Sequence, residues 1–334
     1  MSFGAEVKDA VTVRAVLLVV GVLVLQVLFI ASYVGALHAP KPSRVPFGLF
    51  AAGSGELAAT LDALPGDPLD VRVGDSEEGV RADIMHRRTY GALIVDSSGD
   101  EDTLLVATGS GTALAAALER IVGGVAEQEG RRLVVEDVAP APQDKDFDGL
   151  SSFYLAVGWC VGGYLCASIL AISAGSKPAN RRRAVIRTGA MAAYSIAGGL
   201  LGTLVVGPLL GALPGSFMSF WGLGALTVFA VGMITLALEA LTGVVGIGLA
   251  VLLIVIAGNP SAGGAFPLPM LPPLWRAIGP FLPPGAGTWT SRSIAYFDGN
   301  AVTMSLLVLV AWSVVGTVVF MLAVPRRATA AEGA

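Results

Sequence analysis

Six long apolar runs divide the chain, at 15–37, 152–173, 188–210, 217–238, 242–258 and 301–324. An α-helix rises about 1.5 Å per residue, so about 20 mostly apolar residues cross about 30 Å of hydrocarbon. The runs predict six transmembrane helices, with the least sharp boundary at "LALEALTG" (236–243), between the fourth and the fifth. The first run, "AVLLVVGVLVLQVLFIASYVGAL", is longer than the apolar core of a secretory signal, and Pro40 follows closely; it reads as a retained anchor.

Between the first two runs the periodicity changes. "VPFGLFA" (45–51), "LDVRV" (69–73), "YGALIVD" (90–96), "DTLLVAT" (102–108) and "RRLVVEDV" (131–138) read as strands. "ELAATLDAL" (56–64), "SEEGVRADIMHRR" (76–88) and "TALAAALERIVGGVAEQ" (112–128) have helical spacing, the second opening with Ser and two acids as helix N-termini do. Strands alternating with helices predict a small α/β domain over 38–150, inserted between the first and second membrane helices. "APAPQDKDFDG" (139–149) reads as a Pro-rich, solvated linker leading back to the membrane.

Composition agrees: 54% of the 334 residues are hydrophobic and 14% charged, whereas soluble domains carry about 25% charged residues. Charge then sets the expected orientation. Lys177, Arg181, Arg182, Arg183 and Arg187 crowd the loop between the second and third runs, Lys8 and Arg14 precede the first, and Arg326 and Arg327 follow the last. Short loops rich in Lys and Arg stay cytoplasmic. Both termini are therefore expected inside, and 38–150 outside. That segment holds twenty of the twenty-five acidic residues and ten of the twenty-one Lys and Arg, a net charge of −10.

Little here points to catalysis or to a cofactor. Cys160 and Cys166 lie in one apolar run and read as buried free thiols, and with only His38 and His86 a zinc cluster is not expected. "TGSGTALAAALE" (108–119) lacks the Gly-Lys-Ser/Thr of a phosphate loop, so Gly109 and Gly111 read as a tight turn with Ser110 or Thr112 capping a helix. In "DKDFDG", Asp144, Asp146, Asp148 and Gly149 match the first half of a calcium loop, but the twelfth position is Leu155 instead of Glu; weak calcium binding stays open. No nucleic-acid partner is expected. Glycines four apart (158 and 162, 198 and 202, 207 and 211) suggest close helix packing.

The segment 259–301 is apolar yet carries eight prolines before Gly285. Proline forbids a continuous span, and irregular backbone at membrane depth must be buried in protein or line a wet cavity. A broken re-entrant or interfacial hairpin is expected at the outer face, built on Gly263, Gly264, Phe266, Pro267, Trp275, Pro280, Phe281 and Pro283, either as a gate closing a substrate path or as a structural plug with no gating role.

Here a resemblance enters. "GNPSAGGAFPLPMLPPLWRAIGPFLPPG" is similar to the segment before the last span in the YhgE/Pip (phage infection protein) group and related ABC-2-type membrane permeases, at Ser261, Gly263, Gly264, Phe266, Pro267, Pro280, Phe281, Leu282 and Pro283. "LEALTGVVGIGLAVLLIVIAG" (238–258), and the plan of one span, an outer domain and five spans, resemble that group too. The resemblance implies a fold like type V ABC exporters in a bacterial plasma membrane: a homodimer of six-span halves surrounded by lipid, each half meeting a separate cytoplasmic ATPase. Walker motifs are absent here, so this chain is not itself expected to be an enzyme. Arg181, Arg182, Arg183 and Glu239 are the expected ATPase contacts. The implied function is export of a hydrophobic or amphipathic substrate. The alternative is a membrane-anchored surface or scaffold protein whose outer domain binds a partner without transport.

Overall fold

A computed structural model describes residues 12–51, 55–97 and 99–324. Helix α1 (Val13–Leu37) leads to an α/β unit: β1 (Val45–Phe50), α2 (Gly55–Asp62), β2 (Leu69–Val73), α3 (Glu77–Met85), β3 (Gly91–Val95), β4 (Glu101–Val106), α4 (Thr112–Gln128) and β5 (Arg132–Asp137). The sheet order is β2-β1-β3-β4-β5. Only β3 and β4 pair antiparallel, as the short connection between them dictates. Ser76 caps α3 by accepting from the Gly79 N–H at 3.0 Å, with Glu77 and Glu78 in the first turn. Phe47, Leu49, Leu61, Leu104, Leu114 and Leu118 fill one face of the sheet.

The other face does not end at the domain. Val80, Ile84, Ala92 and Leu105 join Ala107, Ala139, Ala141, Tyr296 and Phe297, and through them the core of the helical bundle. The expected solvated linker is therefore corrected. Ala139, Ala141 and Asp146 are buried, and the 139–149 segment is part of the contact between the two halves.

The bundle holds α5 (Ser151–Ala174), α6 (Arg181–Leu209), α7 (Phe217–Thr242), α8 (Val245–Ser261) and α11 (Thr303–Leu322). Helix α7 is the central one, packed against α5, α6 and α11. Five helices, α1, α5, α6, α7 and α11, are long and apolar enough to cross a membrane. The fifth apolar run behaves differently: α8 has only 17 residues, and Val251–Gly258 winds in wide π-type turns. Pro260 has no N–H to give the Ile256 carbonyl four residues back. That carbonyl accepts instead from Ser32 Oγ of α1 at 2.6 Å.

Close approach falls mostly on other glycines than the spacing suggested. Gly158, Gly207 and Gly211 have open space where a Cβ would stand, and Gly162 and Gly198 have ordinary or only slightly tight neighbours. Gly202 does pack, against the Trp159 ring, and Gly199 meets the α7 backbone at Ala225 N, 2.5 Å from where its Cβ would be. Gly163 meets Val228 O at 2.8 Å and Gly316 meets Ile234 N at 2.6 Å in the same sense. At Gly163 and Gly199 the tight face lies one residue beyond the predicted Gly162 and Gly198.

Residues 262–302 form a cap on one end of this bundle. A single turn at Leu268–Met270 precedes two short helices, α9 (Pro273–Ile278) and α10 (Pro283–Tyr296), which are joined by another at Gly279–Phe281. Prolines stand in the first turns of both helices, where a missing N–H costs nothing. Nearly all of α10 is buried, including Thr288, Thr290, Ser291, Arg292 and Ser293.

Candidate functional site: a cationic cavity at the domain seam

The α/β unit, the cap and the first turn of α11 enclose a cavity of about 430 Å³. Ligand sites run from about 300 to 1,000 Å³. Leu268, Pro267, Pro280, Ala286 and Met304 give it apolar walls, while Arg87, Arg292, Tyr90, Ser110 and Thr288 supply polar atoms. Met304 is exposed and Arg292 buried, so the mouth lies beside α11 and the floor beneath the cap.

Local structure explains how each arginine arrives. Arg87 ends α3 with φ +58°, a left-handed conformation that stops the helix. Its Nη1 donates to Trp289 O and Ser293 Oγ, both at 2.8 Å. The guanidinium carbon lies 3.4 Å from the Trp289 ring centroid and 4.7 Å from that of Phe297, a cation–π arrangement with both rings. Arg292 projects from α10 and donates to Gly263 O at 2.6 Å, Gly264 O at 2.7 Å and Gly149 O at 3.2 Å. One side chain thereby ties the start of the cap to the exit of the α/β domain.

Neither guanidinium forms an ion pair among the described residues, and both Nε atoms are buried without a hydrogen-bond partner. Asp146 acts on Arg292 electrostatically, but its carboxylate accepts from the Tyr296 hydroxyl and from the Ser151 N–H, the latter at 2.7 Å. Burial pushes the Arg87 guanidinium down to about 9, with Arg292 adding repulsion and Tyr90 opposing. It is still charged at neutral pH. Tyr90 lines the same cavity, and burial pushes its phenol up, keeping it neutral. An isolated buried charge costs several kcal/mol; here carbonyls and rings offset part of that, and a negative ligand would offset more.

Glycines make the seam possible. Gly109 leaves room for the Tyr296 side chain, whose Cβ is 2.6 Å from where a Gly109 Cβ would stand, and donates its N–H to Ala139 O at 2.8 Å. Gly111, at φ +136°, lies against Pro267. The predicted side-chain cap at Ser110 or Thr112 is not formed, since Gly111 is itself the residue before α4. Lys41 and Ser43 donate backbone N–H groups to Met270 O and Pro269 O at 3.3 and 3.1 Å. Arg276 reaches Ser43 O at 2.7 Å.

Of the predicted hairpin residues, Gly263, Pro267 and Pro280 line the cavity. Gly264 packs on the Phe153 ring, and Phe266 on the core of the α/β domain. Trp275 Nε1 donates to Ser32 Oγ at 3.1 Å, fastening the cap to α1. Pro283 opens α10, and the Phe281 side chain is 62% exposed. The calcium possibility finds no support: Asp146 and Asp148 serve Tyr296 and Thr112 separately, Asp144 is exposed, and no group of three potential metal ligands occurs among the described residues.

At the other end of the bundle, Arg181, Arg182 and Arg183 are exposed in the first turn of α6. Glu239 must be removed from the predicted surface contact, because it is 1% exposed and lies beside Ser168 and Arg187 inside the bundle. The sequence reading missed Arg87, Tyr90 and Arg292. Arg292 did have a signal, as a lone cation among small and aromatic residues at predicted membrane depth. Arg87 had none, since "HRR" at a helix end reads as a solvated terminus. No protein family, curated protein or solved structure matches this chain.

Proposed function

We propose that this chain is the membrane subunit of an exporter for hydrophobic or amphipathic substrates, driven by an ATPase on a separate chain. The carrying observation is the seam cavity, apolar in its walls, cationic at its floor and open beside a membrane helix. In this reading α8 is the shortest of six spans, the seam faces outside, and two copies form the working unit. The docking of the α/β domain through Arg87, Arg292 and Gly109 favours a gated permease over the alternative of a freely displayed surface domain.

Arg181, Arg182 and Arg183 would face the ATPase. Each exposed ion pair contributes about 0–1 kcal/mol, so single changes should be mild. Purified from its own host in mild detergent, the chain should bring down an ATPase carrying Walker motifs. Arg181→Glu, Arg182→Glu and Arg183→Glu together should lower that ratio about tenfold or more, given on the order of 2 kcal/mol for three pairs. Orientation is checked in the same mutant by labelling Lys177→Cys, because these arginines also set topology. Absence of any ATPase sinks the permease reading.

A further inference from the structure

The seam cavity discriminates by charge as well as by apolarity. Its lining has two guanidinium groups and no acidic residue. Each guanidinium carries five N–H donors, and a buried Nε of each is unused. Tyr90 and Ser110 add hydroxyls around the same space, whereas the Thr288 hydroxyl donates to Pro284 O at 2.8 Å. A neutral amphiphile would leave both charges unmatched, and a cationic one would add repulsion. A small inorganic anion would leave the walls of Leu268, Pro280 and Met304 uncovered. The domain above the cavity is strongly acidic, with a net charge of −10 over 38–150, which disfavours an anion arriving from water. Entry past Met304, at the first turn of α11, avoids that field.

We infer that the cavity binds an amphiphile with a single anionic head, phosphate or carboxylate, held between Arg87 and Arg292, its tail leaving past Leu268, Pro280 and Met304 towards the lipid. This rests on the cavity being the permease's substrate site, and it narrows the substrate to that class. Arg87 is the better probe of recognition: it too helps seat the α/β domain, through Trp289 and Ser293, but its loss strands one carbonyl and one hydroxyl where loss of Arg292 strands three carbonyls. Arg292 also holds the cap together and makes a poorer probe.

The test is binding to the purified full chain in phosphatidylcholine nanodiscs, without ATPase or transport. Dodecyl phosphate should bind saturably, while dodecyl maltoside, dodecyltrimethylammonium and inorganic phosphate should be at least about tenfold weaker. Arg87→Gln should weaken dodecyl phosphate by about thirtyfold or more, the usual consequence of losing one partner of a buried charge pair. If Arg87→Gln does not fold, the head-group series on the unaltered protein decides alone. Nanodiscs containing phosphatidylglycerol separate the sources: competition assigns the site to a bilayer lipid head, and its absence to a free amphiphile. Equal binding of the neutral, cationic and anionic dodecyl compounds overturns the inference, as does an unchanged affinity in a folded Arg87→Gln. Failure to find an ATPase would leave this binding result intact and remove only the transport reading.

Discussion

Gly279→Ala should dismantle the cap. A Cβ at Gly279 would stand against the carbonyl oxygen of Ser261, and one at Gly285 against the carbonyl oxygen of Gly279. Three stretches of backbone are thus in direct contact, in a region where Ser261, Gly279 and Gly285 are all buried. A clash with a flexible side chain is relieved by a rotamer change, but a carbonyl moves only with its chain. Gly258 against Pro284, at 2.8 Å from its missing Cβ, leaves no slack on the neighbouring side. One added methyl should cost on the order of 3 kcal/mol, the upper part of the range for overpacking. The measurement is the thermal midpoint in detergent, followed by size-exclusion. Gly189→Ala is the control, since nothing lies within 4 Å of its Cβ position. A Gly279→Ala protein with an unaltered midpoint would mean that the cap is not closely packed.

Arg292→Leu should loosen the α/β domain from the bundle. The change strands the carbonyls of Gly149, Gly263 and Gly264, which are buried and lose a charged donor. Each unpaired buried acceptor costs about 1–3 kcal/mol, and removal of an unpaired buried cation returns several kcal/mol at most. The acceptors win, because Asp146 also loses the attraction of the Arg292 charge and because leucine leaves part of the guanidinium's volume empty. A net loss on the order of 3 kcal/mol is expected. Arg292→Lys keeps the charge but cannot span three carbonyls from one nitrogen, so it should fall between. Limited proteolysis reads this directly. Cleavage within 139–150 should appear in Arg292→Leu, with the sheet still protected. Wild-type resistance there would show that Gly149 is held by other contacts.

Much of the architecture was legible because it follows from short-range rules. The strand over 69–73 and the helix over 112–128 coincide with the periodicity, and five of six apolar runs became helices long enough to cross a membrane. The proline-rich segment was readable as broken helix, since no proline side chain can be argued into a span. The cavity was not readable. It depends on Arg87 and Arg292, separated by more than 200 residues, meeting through a left-handed turn at one end and a three-carbonyl clamp at the other. Glu239 misled for a related reason: the break after it looked like a surface loop, yet Gly246 lies directly on the Glu239 backbone and seals it in. Charge predicts exposure only where the neighbouring elements leave room for water.

The central claim is that the seam cavity is an outward-facing site for an anionic amphiphile. It is tested most directly by placing a cysteine at its mouth, Met304→Cys, with Cys160 and Cys166 replaced by alanine. A charged, membrane-impermeant thiol reagent applied to intact cells should label position 304, and submicellar dodecyl phosphate should slow that labelling severalfold while dodecyl maltoside does not. Lys177→Cys, among the basic residues before α6, should react only after the cells are opened. Labelling of Lys177→Cys with Met304→Cys protected in intact cells, or a labelling rate at 304 indifferent to dodecyl phosphate, would contradict the claim.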